Sequence, residues 1–180
     1  LLAPSIPLLF MGEEWGSKQP FLFFCDYEGE LAEAVREGRR KEFGKFAAFA
    51  DPSARERIPD PNAETTFAAS TLDWPETDSG AAGQRLALVR QLLELREREI
   101  VPRLDERLHG GHYELTDGRA FRIEWGLADG TLLHLVANLG KESVRGLDWK
   151  LPGRRLFASP DFPDAPVTEL PPWSIAWSCE

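Results

Sequence analysis

The spacing of apolar residues changes at Gly110–Gly111, and this change restricts the fold more than any other feature of the sequence. In the segment before it, Ala81–Glu99, apolar side chains recur every three or four residues, as in a helix. After it, apolar and polar side chains alternate within short segments, and turn residues separate these segments, as in short strands. The predicted strands are His112–Leu115, Ala120–Leu127, Thr131–Leu139, Val144–Trp149, Arg155–Ala158 and Trp173–Ser178. Such strands predict an antiparallel β-sandwich over residues 109–180, preceded by a first domain over residues 1–108.

One long amphipathic helix is predicted over Ala81–Glu99. Its apolar stripe consists of Leu86, Val89, Leu92 and Leu93. Asp78 or Ser79 can cap its first turn, and Pro102 cannot continue it. Burial of each of these apolar side chains stabilises a fold by about 1.5–3 kcal/mol, so the stripe requires a partner surface.

The run Ile6–Met11 is continuously apolar and ends in the polar sequence Gly12-Glu13-Glu14. A short run of this kind predicts a strand buried on both faces, as in a parallel sheet covered by helices, with a loop at its carboxyl end. In barrels and doubly wound sheets, substrates bind at that end. The only methionine is Met11, inside the predicted strand, so we expect the sequence to be part of a longer chain.

Composition excludes several classes of function. The formal net charge of −9 argues against a nucleic-acid partner and against a polybasic membrane surface, and no apolar run reaches the roughly 20 residues that span a bilayer. The two cysteines, Cys25 and Cys179, predict reduced thiols in a cytoplasmic protein. No cofactor is predicted, because the sequence contains no cofactor-binding motif. No metal site is predicted either, because the glycines between His109 and His112 prevent a helical ligand pair.

Acidic and aromatic residues cluster after the first predicted strand. Glu13 and Glu14 are adjacent, so on a strand they point in opposite directions and cannot face each other as a catalytic pair. One of them can face a site or an arginine while the other enters the protein. The neighbouring aromatic residues are Trp15, Phe21, Phe23, Phe24 and Tyr27. They either pack a loop onto its core or offer ring faces on which sugars stack.

Five stretches together resemble one family: PSIPLLFMGEEWG, FLFFCDYEGELAEAVREGRRKEF, IPDPNAETTF, LDW and LPPWSIAW. The chain is similar to the C-terminal part of maltooligosyltrehalose trehalohydrolases, which are glycoside hydrolases of the alpha-amylase superfamily. The resemblance implies an α+β fragment in which residues 1–108 supply the last strand, a long loop and the last helix of a (β/α)8 barrel. Residues 109–180 are then the C-terminal antiparallel β-sandwich of such enzymes.

The resemblance also implies an activity. Family members hydrolyse the α-1,4 bond next to the terminal trehalose of maltooligosyl trehalose, with retention and without a metal or other cofactor. Their catalytic carboxylates lie on barrel strands that precede this segment, so no catalytic residue is assigned and the chain alone is expected to be inactive. The candidate substrate contacts are Glu14, Trp15, Phe23 and Phe24. Without the rest of the barrel, the apolar stripe and the run Ile6–Met11 lack partners, so the chain is expected to self-associate or to fold over itself.

A second hypothesis is a non-catalytic carbohydrate-binding or interaction module. In that case Trp125, Trp149 and Trp173 would form an exposed row on the sandwich. Under the first hypothesis, these indoles are mainly core residues.

Overall fold

A computed structural model of the chain describes residues 1–47, 51, 53, 57–74, 77, 80–105, 110–116, 118–164 and 166–180. The chain divides into two compact units, one formed by Leu1–Leu8 with Leu88–Glu180 and the other by Leu9–Ala87. The predicted boundary at residue 108 lies outside the described residues and stays a prediction.

Seven antiparallel strands and three α-helices make up the described secondary structure, confirming the α+β prediction. The helices are α1 (Gly29–Phe43), α2 (Glu64–Ala69) and α3 (Gly80–Glu99), and a 3-10 turn follows at Val101–Arg103. The strands are β1 (His112–Thr116), β2 (Ala120–Gly126), β3 (Leu132–Asn138), β4 (Val144–Trp149), β5 (Arg154–Ala158), β6 (Val167–Leu170) and β7 (Ser174–Cys179). One sheet has the order β1-β2-β3-β7-β5, and the other pairs β4 with β6.

The two sheets share a hydrophobic core, as the predicted sandwich requires. Val136 and Ala176 from the large sheet pack with Val144, Trp149 and Leu170 from the small one, and all five are at least 96% buried. The opposite face of the large sheet has a second core, in which Leu133 and Trp177 pack with Leu95 and Ile100. The end of α3 therefore covers the face that the small sheet leaves open.

Helix α3 confirms the predicted helix almost to the residue, but its burial differs from the predicted stripe. Leu86, Val89, Leu92 and Leu93 are only half-buried, whereas the helix buries Leu95, Arg96 and Glu99. The predicted caps Asp78 and Ser79 lie outside the described residues. The carboxylate of Glu99 accepts hydrogen bonds from the guanidinium groups of Arg98 and Arg154. These hydrogen bonds hold the pKa of Glu99 below its usual value. The helix end is thus tied to β5 by charge as well as by apolar contact.

The predicted strand over Ile6–Met11 does not form in this structure. Residues 6–10 have no ladder partner among the described strands, and Ile6 and Leu8 are 92% and 94% exposed. A strand exists only when a neighbour accepts its backbone hydrogen bonds, and the described part of the chain supplies none here. The side chains of Ile6 and Leu8 are therefore uncovered, whereas the Phe10 ring packs against that of Phe21.

Candidate functional site

The predicted substrate contacts Glu14 and Trp15 lie in a tight turn over residues 11–16. The amide of Gly16 donates to the Glu13 carbonyl at 3.1 Å, and Arg85 Nε donates to the same oxygen at 3.0 Å. Gly12 has φ +83°, and a Cβ there would lie 2.9 Å from Leu72 Cδ2. Only glycine fits this backbone without strain, so the turn holds the two residues in a fixed conformation.

The adjacent acids Glu13 and Glu14 have different surroundings. Glu13 Oε2 accepts the Phe10 amide at 3.1 Å on the surface, so this carboxylate braces the turn. Glu14 Oε2 is buried and has no hydrogen-bond partner among the described residues. A buried carboxylate oxygen without a donor is costly, so a group outside the described residues is expected to meet it.

Trp15 is a core residue of its unit, since only 3% of its surface is exposed. Its ring lies 5.3 Å from that of Trp74, tilted by 42°. Its Nε1 is buried without an acceptor in the described part of the chain. Trp15 therefore presents no open ring face here, although its indole N–H, like Glu14 Oε2, still lacks a partner.

Phe23 and Phe24 differ in exposure. Phe23 is 42% exposed, and the guanidinium of Arg39 lies 4.7 Å from its ring centroid. Phe24 is half-buried and makes edge-to-face contacts with Phe21 and Phe67, at 5.8 and 5.2 Å between centroids. Both alternatives left open by the sequence therefore occur here: Phe24 packs the loop, and Phe23 keeps a partly open ring face.

The aromatic segment Phe21–Tyr27 is held in place by two polar residues that no sequence pattern predicts. Asn62 Oδ1 accepts the Tyr27 amide at 3.0 Å and the Cys25 thiol at 3.4 Å, while Asn62 Nδ2 donates to the Ala32 carbonyl at 3.2 Å. The Ser70 hydroxyl accepts the Leu22 amide at 3.0 Å. Polar residues in a loop sequence carry no periodicity, so only the folded contacts identify these two anchors.

An ion pair between Arg36 and Asp60 joins α1 to the loop before α2. The Asp60 carboxylate accepts the Asn62 amide and Arg36 Nε, at 3.0 and 2.8 Å. The amide hydrogen bond, followed by the bond from Arg36, lowers the pKa of Asp60. In turn, Asp60 raises the pKa of Arg36. Both groups are therefore charged at neutral pH, and this unit is braced by an ion pair.

Phe24 lines a cavity of about 460 Å³ beside α2. The other lining residues are Cys25, Asp26, Asn62, Ala63, Glu64 and Phe67. Aromatic faces next to carboxylates and an amide suit a neutral ligand rich in hydroxyl groups. Glu14, Trp15 and Phe23 do not line this cavity, so the structure brings only one of the four predicted contacts to it. The described residues contain no cluster arranged to hold a metal ion.

The sandwich tryptophans do not form an exposed row. Trp149 is 4% exposed, and Trp125 is half-buried in a stack with Trp177, with centroids 5.6 Å apart. Only Trp173 among the three candidates is mostly exposed, at 60%. In the described parts of the structure, no helix is long and apolar enough to cross a membrane.

The comparisons with known proteins cover different parts of the chain. A family described as a domain of unknown function, DUF3459, matches residues 108–177. The malto-oligosyltrehalose trehalohydrolase of Deinococcus radiodurans is 42% identical over 154 residues, which are 84% of this chain and 24% of that protein. The enzyme of the same name from Arthrobacter ramosus is 44% identical over 56% of this chain and 16% of its own length.

A solved structure matches nearly the whole chain. It is the 1.4 Å crystal structure of a "Putative alpha Amylase" from Salmonella typhimurium, with a TM-score of 0.82 and 41% identity over 99% of this chain and 28% of that one. The chain thus spans between 16% and 28% of the length of these three relatives. Identity above 40% and a shared fold show that the chain belongs to the malto-oligosyltrehalose trehalohydrolase family, which confirms the resemblance of its motifs.

Proposed function

We propose that this chain is the C-terminal part of a glycoside hydrolase that releases trehalose from maltooligosyl trehalose by hydrolysing an α-1,4 bond. The 42% identity to a trehalohydrolase over 154 residues carries the proposal. Because the chain spans 24% of that relative, the catalytic carboxylates are proposed to lie in a preceding part of a longer protein. A cytoplasmic location is proposed with it, supported by the two free cysteines.

The exposed run Ile6–Met11 supports a place in a larger barrel. A strand of a (β/α)8 barrel is apolar because helices cover one face and the packed interior covers the other. Ile6 and Leu8, which are almost fully exposed in this chain, fit such a strand once neighbouring strands pair with it. In the proposed enzyme this run is strand eight, and α3 is the last barrel helix.

The chain's own contribution to catalysis is proposed to be one wall of the substrate cleft. Retaining hydrolysis needs two carboxylates about 5–5.5 Å apart across the scissile bond. Glu13 is occupied by the turn, so the chain is proposed to bind rather than to cleave. Glu14 would accept a sugar hydroxyl, Trp15 Nε1 would donate to one, and the open faces of Phe23 and Phe24 would stack on a ring. The chemistry of such an enzyme requires no metal or cofactor from this chain.

Trehalose release tests the proposal directly. The longer protein that the gene encodes is expected to release trehalose from maltooligosyl trehalose, whereas the purified 180-residue chain releases none. Chromatography of the products with NMR of the new anomeric centre measures both the product and retention. Release of glucose or maltose instead of trehalose by the longer protein, or release of trehalose by the 180-residue chain, contradicts the proposal.

The candidate wall is tested in the longer protein. Glu14→Gln is expected to lower kcat/KM about tenfold, since a hydrogen bond to a charged group contributes about 1.5–3 kcal/mol. Glu97→Gln, at an exposed position of α3, is the matched control and should leave kcat/KM unchanged. The alternative function, a non-catalytic carbohydrate module built on the sandwich tryptophans, has no support from burial, because Trp149 is in the core.

Self-association of the isolated chain is a further proposal, because its apolar run is uncovered. Sedimentation velocity is expected to show concentration-dependent dimers or larger species. The double variant Ile6→Lys/Leu8→Lys should remain monomeric, since two lysines replace the two most exposed apolar side chains of the run. Leu115→Lys, at a 58% exposed position of β1, is the control and should still associate. A monomer at every concentration would show that the run is not adhesive.

A further inference from the structure

The large sheet places a row of ionisable side chains on one face. In the antiparallel register, His112 of β1 lies opposite Glu124 of β2, which lies opposite His134 of β3. Two residues along β1, Glu114 lies opposite Arg122. Directly opposed residues, and residues two apart on one strand, project from the same face. The five side chains therefore converge.

These side chains line a cavity of about 200 Å³ in the sandwich. The remaining walls are formed by Lys150 and Pro152, which follow β4, and by Ile123, Leu135 and Val136. Most of the lining belongs to three hydrogen-bonded strands, so the cavity is held by a ladder and not by a loop. It is a preformed concave site, smaller than the roughly 300–1,000 Å³ of most small-molecule pockets, so it has room only for a small ligand or one unit of a larger one.

His134 gives the cavity an unused polar group. The residue is 8% exposed, and its Nδ1 lies 3.5 Å from Glu124 Oε2, longer than an ordinary hydrogen bond. Its Nε2 is buried without a hydrogen-bond partner among the described residues, with Glu180 Oε2 at 3.6 Å. An imidazole can donate and accept, and leaving this capacity unused in a buried position is costly.

The charges around the cavity favour a neutral ligand. Glu114 is neutralised by Arg122, whose Nη2 lies 2.6 Å away, and it also accepts Trp149 Nε1 at 3.2 Å. The other two charged residues, Glu124 and Lys150, have opposite signs. Balanced walls give neither an anion nor a cation an advantage, and the described residues include no metal-ligand cluster. Donors next to acceptors instead match hydroxyl groups, which do both.

We propose that this cavity binds one sugar unit of an α-glucan through its hydroxyl groups. The Glu124 carboxylate accepts one hydroxyl, the Lys150 ammonium donates to another, and the His134 imidazole pairs with a third. Apolar Val136 and Pro152 line the remaining wall. The residues that line the cavity support a ligand with several hydroxyl groups, and the choice of an α-glucan among such ligands rests on the proposed function. Binding here is separate from the proposed contacts at Glu14 and Trp15.

Titration of the 180-residue chain with maltotetraose tests the site. Calorimetry and tryptophan fluorescence should both report saturable binding, since Trp149 donates a hydrogen bond to the lining residue Glu114. Glu124→Gln and Lys150→Met are each expected to weaken binding about tenfold, the effect of losing a charge-assisted hydrogen bond. Glu169→Gln on β6 is the matched control and should change binding less than about twofold. Glu14→Gln is measured beside it because Glu14 is the proposed substrate contact at the turn. Circular dichroism and the urea midpoint verify that each variant is folded.

Each other outcome overturns the proposal. Absence of saturable binding, or equal binding by wild type and both cavity variants, removes the sugar site. Sensitivity to Glu14→Gln instead of Glu124→Gln moves the sugar to the turn. Competition by inorganic phosphate shows an anion site. The trehalose assay is independent of all these results, so a longer protein that releases trehalose while the cavity fails to bind disproves only this inference.

Discussion

Replacement of Asn138 by alanine is expected to lower the free energy of unfolding by about 3–5 kcal/mol, and replacement by aspartate by more. Asn138 is fully buried at the end of β3. Its Nδ2 shares two hydrogens among the carbonyls of Glu142, Leu170 and Pro171 at 2.8, 3.0 and 3.0 Å, and its Oδ1 accepts the Gly140 amide at 2.9 Å. One side chain thus joins the β3–β4 turn to the segment between β6 and β7.

The two substitutions separate loss of hydrogen bonds from added repulsion. Alanine leaves buried backbone groups unpaired, and each costs about 1–3 kcal/mol. Aspartate keeps the shape but replaces the donor with an oxygen that faces three carbonyl oxygens, so a charge is buried as well. Since a domain is stable by only about 5–15 kcal/mol, the aspartate variant is expected to be largely unfolded. Urea unfolding followed by circular dichroism measures both changes.

The neighbouring residue provides the control. Leu139 is 53% exposed, so Leu139→Ala should change the free energy of unfolding by no more than about 0.5 kcal/mol. If Asn138→Ala lies within that range, the amide is not a structural anchor. If Asn138→Asp is no worse than Asn138→Ala, repulsion from the three carbonyls is absent.

Local sequence pattern identified most of the sandwich because strands and turns are local signals. Six of the seven strands coincide with alternating segments. The exception, β6 (Val167–Leu170), has four residues between Pro166 and Pro171, too few for alternation to be seen. Helix α3 could be predicted equally well, because its pattern of apolar residues extends over a helix of 20 residues.

Features that depend on residues far away in the sequence could not be predicted from local pattern. Ile6–Met11 has a strand's composition, yet without a neighbouring strand it does not form one. Asn138 gave no signal, because its acceptors Leu170 and Pro171 are more than 30 positions away. In the candidate site, the sequence named Glu14 and Phe24 from aromatic and acidic clustering, while Asn62 becomes visible only through the backbone groups it binds.

Replacement of Arg96 by methionine is expected to release residues 1–5 from helix α3. The Arg96 side chain is buried, and its guanidinium donates to the carbonyls of Leu1, Ala3 and Ser5, at 2.9 Å for Leu1 and 2.8 Å for Ser5. Burial lowers the pKa of Arg96, because the charged guanidinium loses hydration. Three charge-assisted hydrogen bonds offset that cost.

The net effect of Arg96→Met depends on which of two opposing effects is larger. Removing the charge recovers its desolvation cost, but the three carbonyls lose donors that contribute about 1.5–3 kcal/mol each. The losses are larger in sum, so we expect the free energy of unfolding to fall by about 2–4 kcal/mol. Hydrogen exchange of the peptide covering residues 1–8 should become faster, because Leu2, now 98% buried, loses its support.

Arg96→Lys distinguishes the geometry of the guanidinium from its charge. Lysine keeps a buried charge but lacks the planar fork that reaches several carbonyls at once, so its loss should equal or exceed that of methionine. Arg90→Met, at an exposed position of the same helix, should leave the exchange of residues 1–8 unchanged. Because Ser5 directly precedes Ile6, the same variant in the longer protein should also disturb the proposed strand eight and reduce trehalose release. Unaltered exchange in Arg96→Met would mean that apolar packing of Leu2 alone holds the segment.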